Sequence, residues 1–205
     1  MKGKEYILSI FLFLIIIIAY FKYQTGFIAD LLFSTFLVIV LYFLYKKLKL
    51  NVLTYSLVCL SFVLHNLGAF GFYDNFFIPY DYITHFVGIF SITLIIANLL
   101  SYYLLKDKKF RTKDWVILLL VVLSGLGVGS LVETIEFGGY LAWGMGEGFF
   151  QFGTGDYVAL SQEANLVDIV GGGYFDAMGD LVVNLIGALS AVLVYLCYFK
   201  IKKTS

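Results

Sequence analysis

At 205 residues, with 61% hydrophobic and only 14% charged residues, the chain is neither an ordinary soluble domain nor a disordered segment. Its mean hydropathy of +0.92 puts it in the multi-pass membrane class, and a single membrane domain over 1–205 is the expectation. The formal net charge is zero, from 14 Lys+Arg against 14 Asp+Glu, but the two signs are strongly separated along the chain.

In chain order, Lys2 and Lys4 precede an apolar run over about 6–23. That run has the length of a spanning helix and no small-x-small cleavage site after it, so it reads as helix 1 and not as a signal peptide. Further apolar runs predict helices over about 27–45, 52–72, 80–105, 115–137 and 175–199. The fold class is therefore all-α: a polytopic bundle of six transmembrane helices. Cys59 and Cys197 fall inside apolar runs and read as small packing residues. No zinc-finger, phosphate-loop or dinucleotide spacing occurs, and no nucleic-acid partner is expected.

The basic residues occupy alternate connections. Lys2 and Lys4, then Lys46, Lys47 and Lys49, then the Lys106–Lys113 cluster, then Lys200, Lys202 and Lys203 account for 13 of the 14. By the positive-inside rule both termini are cytoplasmic, as an even number of crossings requires. Of the 14 acids, 11 fall on or near the opposite side. The connection over 138–173 then lies outside. It holds ten glycines and many aromatics but no Lys or Arg, which suits a lid over the bundle or an interfacial loop packed on its helix ends.

Polar residues recur at the outer ends of three predicted helices. Helix 4 carries Asp81 and His85 one turn apart, after Pro79. Helix 5 ends with Glu133 and Glu136, just after the small-residue stretch Ser124–Ser130, which reads as a helix-packing surface. Helix 6 opens with Asp176, Asp180 and Asn184 at i, i+4 and i+8, on one face. Asp176 alone could be an N-cap; the other two lie too far in. His65 and Asn66 fall in the outer half of helix 3. Each aspartate placed mid-membrane costs about 2.5–3.5 kcal/mol, less near the surface, so a chance coincidence in depth is expensive. Five carboxylates with at most two histidines cannot all stay ionised without protons or a cation.

Carboxylate plus imidazole ligands suit a divalent metal ion, with Asp81, His85, Asp176 and Asp180 as ligands and Glu133 or Glu136 as general base. Asn184 and His65 would support them. The expected activity is a cation-dependent hydrolase or transferase acting on a lipid or lipid-linked envelope substrate, with membrane lipids as the surroundings. Two other readings use the same residues: a carrier that binds and releases protons or cations, and a structural protein with a satisfied polar core.

These segments resemble the YjdF-like family of small prokaryotic inner-membrane proteins. The likeness lies in Asp81 with His85 and Gly88, in Glu133 with Glu136, and in Asp176, Asp180, Asn184 and Gly187. More distantly they are similar to the VanZ-like proteins, associated with glycopeptide resistance at the cell envelope. Those differ by a Glu-x-x-Gln at the Glu133–Glu136 position and by an arginine before the final aspartates. The resemblance covers helices 4 to 6 and implies a prokaryotic plasma-membrane protein with a shared polar site.

Overall fold

A computed structural model describes residues 2–22, 28–68, 70, 80–105, 114–143 and 166–201. Among the described residues there are six α-helices: α1 (Lys2–Lys22), α2 (Ile28–Leu44), α3 (Val52–Leu67), α4 (Tyr80–Leu105), α5 (Trp115–Trp143) and α6 (Leu166–Ile201). Four contain stretches long and apolar enough to cross a membrane: Gly3–Tyr20, Tyr80–Leu104, Trp115–Phe137 and Ala177–Cys197. Over the described residues the other two are shorter than expected. At 17 and 16 residues, α2 and α3 reach about 25 Å at 1.5 Å per residue, against a hydrocarbon core of about 30 Å.

Two boundaries move for an identifiable reason. The expected helices over 115–137 and 175–199 end beside the glycine pair 138–139 and the triplet 171–173, yet α5 runs on to Trp143 and α6 starts at Leu166. A glycine inside a helix costs only about 1 kcal/mol relative to alanine, too little to end a long apolar helix. The connection expected over 138–173 is thus helical at both ends, and the middle of the supposed lid lies outside the described residues. So do Pro79 and, in the last turn expected of the third helix, residues 69, 71 and 72. Asp176 stands three turns inside α6, which removes its reading as an N-cap; its side chain is outside the described residues.

The helices pack as two groups of three, α1–α2–α3 and α4–α5–α6, joined where α3 lies on α4. The first is centred on Phe11, Ile15, Val38, Tyr55 and Cys59, the second on Ile89, Val121, Ala188 and Ala191. Hydrophobic side chains also cover the outside: Ile16, Phe43 and Leu193 are more than 60% exposed, as lipid-facing residues are. Polar bonds tie the helices at a few points. Buried Asn66 donates to Ser34 Oγ on α2 at 3.0 Å and to Phe62 O at 2.8 Å. The Tyr80 hydroxyl donates to Leu64 O at 2.8 Å, which sets the start of α4 beside the end of α3.

The charge separation in the sequence is also a separation in space. Lys4 Nζ lies 3.9 Å from the Tyr42 ring centre and bonds Tyr42 O, so the start of α1 meets the end of α2. Lys49 Nζ lies 4.0 Å from the ring centre of Tyr102, near the end of α4. We call this the basic end; Asp81, Glu133 and Asp180 belong to the other, acidic end.

The closest seam joins α4 and α6. A Cβ on Gly187 would stand 3.0 Å from Phe86 O and 3.4 Å from Phe90 N, so the two backbones nearly touch there. Backbone cannot step aside as a side chain can. Gly187→Val should lower stability by about 1–3 kcal/mol, the usual range for overpacking, seen as a lower unfolding midpoint in detergent micelles. Leu131→Ala, at a 61% exposed position, should leave that midpoint unchanged.

Candidate functional site

The acidic end gathers polar groups from three helices around one imidazole. Asp81 lies in the first turn of α4, where the positive end of the helix dipole favours a carboxylate. It is 8% exposed. Thr84 fixes the local geometry: its hydroxyl donates to Asp81 O at 2.8 Å and lies 3.2 Å from Asp81 Oδ1. One turn on, buried His85 turns Nε2 toward Asp81 Oδ2 at 3.5 Å.

The other ring nitrogen faces the neighbouring helices. His85 Nδ1 lies 3.3 Å from Asn184 Oδ1 on α6 and 3.5 Å from Glu133 Oε1 on α5. These distances are longer than the 2.9–3.0 Å of an optimal N–H···O bond. Asp180 is 2% exposed and Asn184 fully buried. One carboxylate oxygen each of Asp81 and Asp180 and one nitrogen of His85 lie within 4.8 Å of one another. His85 with Glu133 and Glu136 forms a second group within the same limit.

This arrangement constrains the imidazole's chemistry. A neutral ring has one donor and one acceptor nitrogen, but here the facing atoms are oxygens on both sides. The acceptor nitrogen would then point at an oxygen lone pair. A second proton on the ring, a proton on one of the acids, or a cation on the free nitrogen removes that conflict. One imidazolium cannot balance four carboxylates. The α4 and α5 sequences carry no Lys or Arg and α6 carries only Lys200 at its basic end, so these three helices bring no such side chain to the site.

Of the residues singled out in the sequence, the structure brings together Asp81, His85, Glu133, Glu136, Asp180 and Asn184. His65 is half-buried on α3 and belongs to neither carboxylate group, and Asn66 faces α2. For Asn66, depth in the helix was legible, but not rotation about its axis.

Two contributors were missed. Thr84 had a signal, a threonine three residues after an aspartate. Gly129 is the other: a Cβ there would stand 2.6 Å from Asn184 Nδ2 and 2.9 Å from its Cγ. The bare α5 backbone is therefore what lets Asn184 reach His85. Gly129 and Glu133 are one turn apart, so the small-residue face of α5 runs straight into its acidic one.

Gly129→Ala should push the Asn184 amide away from His85 and cost about 1–3 kcal/mol through overpacking and a disrupted buried bond. A Cβ at Gly127 would meet nothing within 4 Å, so Gly127→Ala should be neutral or slightly stabilising. Thermal unfolding of the two variants side by side measures the difference.

Over residues 5–201 the chain matches the family described as predicted membrane protein (DUF2238), and it belongs to that family. The match extends well beyond the helices on which the motif resemblance rests. No curated protein and no solved structure matches the chain.

Proposed function

We propose that this membrane protein holds a divalent cation at its acidic end and uses it in hydrolysis or group transfer on a lipid or lipid-linked substrate. The observation that carries the reading is the meeting of Asp81, His85 and Asp180 within one ligand-sized group, with Glu133 on the opposite edge of the same imidazole. One ion takes one ring nitrogen. We assign Nε2 to the ion, because Asp81 faces it, with Asp180 beside them and Asp176 one turn before. Nδ1–H then donates to Asn184 and Glu133, the carboxylate–histidine–metal pattern that fixes a ligand's tautomer.

In this reading the cation supplies Lewis acidity toward a phosphoryl or acyl oxygen, standing in for the arginine these helices lack. Glu133 or Glu136 takes the proton from the attacking hydroxyl. Toward the basic end the α4–α6 interior is filled by Ile89, Leu94, Ala97, Val121 and Ala188. That apolar packing favours a site reached from one side over a carrier open to both.

We further read six crossings with both termini cytoplasmic. The support is the alternation of basic connections, matched by Lys4 and Lys49 meeting aromatic rings at one end of the bundle. The likeness to YjdF-like proteins supports placement in a prokaryotic plasma membrane.

Elemental analysis of purified protein tests the proposal. A divalent metal is expected at about one per chain, and it should be lost in Asp180→Ala and His85→Ala. Asp114→Asn, at the basic end, should retain it. Protein free of metal that drives proton-dependent uptake in vesicles would instead establish the carrier.

A further inference from the structure

The basic end carries a second feature, separate from the carboxylate site. A cavity of about 250 Å³ lies between the first turn of α3 and the later part of α6, with α4 beneath it. Its lining includes Leu53, Thr54, Leu94, Asn98 and Val194. Leu53 and Val194 are 56% and 44% exposed, so the rim faces the surrounding lipid.

The floor is not purely apolar. Asn98 is half-buried there, and its Nδ2 reaches Thr54 Oγ1 only at 3.5 Å, the outer limit of a hydrogen bond. An amide presented to hydrocarbon is costly unless a polar group meets it. One turn further along α4 stands Tyr102, with the Lys49 ammonium 4.0 Å from its ring centre.

Lys49 is held in place by its backbone. It has φ 52, the left-handed region that non-glycine residues rarely adopt, between Leu48 N bonded to Leu44 O and Leu50 N bonded to Tyr45 O. Lys46 and Lys47 share that turn. From the basic end inward along α4 the order is therefore the ammonium over Tyr102, then the Asn98 amide with the Thr54 hydroxyl, then aliphatic Leu94. A phospholipid presents its phosphate, its ester oxygens and its acyl chains in the same order.

We propose that this crevice binds one phospholipid with a net negative head group. Its phosphate pairs with Lys49, its ester oxygens meet Asn98, and the start of one acyl chain lies on Leu94 and Val194. The charge of the 46–49 turn selects the anionic head group over a zwitterionic one.

Native mass spectrometry of the full chain in detergent, titrated with phosphatidylglycerol or with phosphatidylcholine of the same acyl chains, tests this. One phosphatidylglycerol should be retained per chain at a concentration about fivefold lower than phosphatidylcholine, the effect of one lysine near an anionic head group. Lys49→Ala should erase that difference. Val194→Trp, which fills the crevice from an exposed position, should weaken retention of both lipids, while Leu119→Trp on the exposed face of α5 should not. Equal retention of the two lipids by the unmodified chain, or undiminished phosphatidylglycerol in Val194→Trp, overturns the proposal. Displacement by glycerol 3-phosphate, which has no acyl chain, would show a soluble-phosphate site and overturn it as well. If Val194→Trp fails to fold, as judged by circular dichroism, the Lys49→Ala comparison decides alone.

Discussion

The near-contact of the α4 and α6 backbones at Gly187 is the constraint on which the rest depends. Helices that approach this closely cannot rotate freely against each other, because any side chain turned into the seam would collide with main chain. Phe86 follows His85 directly, and Gly187 lies one turn from Asn184, so the seam and the polar site share the same turns. Fixing the azimuth of both helices is what makes Asp81 and His85 face Asp180 and Asn184. α5 then closes the third side, with Gly129 admitting Asn184 and Glu133 reaching the ring.

The chemistry follows from a mismatch of charge in a place with little water. Four carboxylates surround one imidazole, and the helices that carry them supply no other cationic side chain at that depth. Low local dielectric makes each like-charge contact more costly than it would be at a wet surface. In the proposed reading the balance comes from protons or from an ion. These would compete for the same oxygens and the same nitrogen, which would couple metal occupancy to protonation.

What the sequence revealed and what it hid divide along physical lines. α4 was legible at both ends, because a charged run follows it and Asp81 marks its first turn. The end of α5 and the start of α6 were not, because glycine penalties of about 1 kcal/mol are small beside the stability of a long apolar helix in lipid. The i, i+4 pairs announced the polar faces of α4 and α6, since that spacing fixes which residues share a face. Asn66 shows the limit: its depth matched the site, but its amide is spent on Ser34. Gly129 was visible only as part of a packing stretch, because its role depends on which side chain the neighbouring helix puts opposite it.

His85 sits five residues after the start of α4, about 7.5 Å along an axis that must cross about 30 Å of hydrocarbon. A charge arriving from the acidic end therefore falls through only about a quarter of the transmembrane voltage. At 100 mV that is about 0.6 kcal/mol for a monovalent species and about 1.2 kcal/mol for a divalent cation. A proton at this position would thus feel the membrane voltage only weakly, while occupancy by the proposed divalent ion would shift by several-fold.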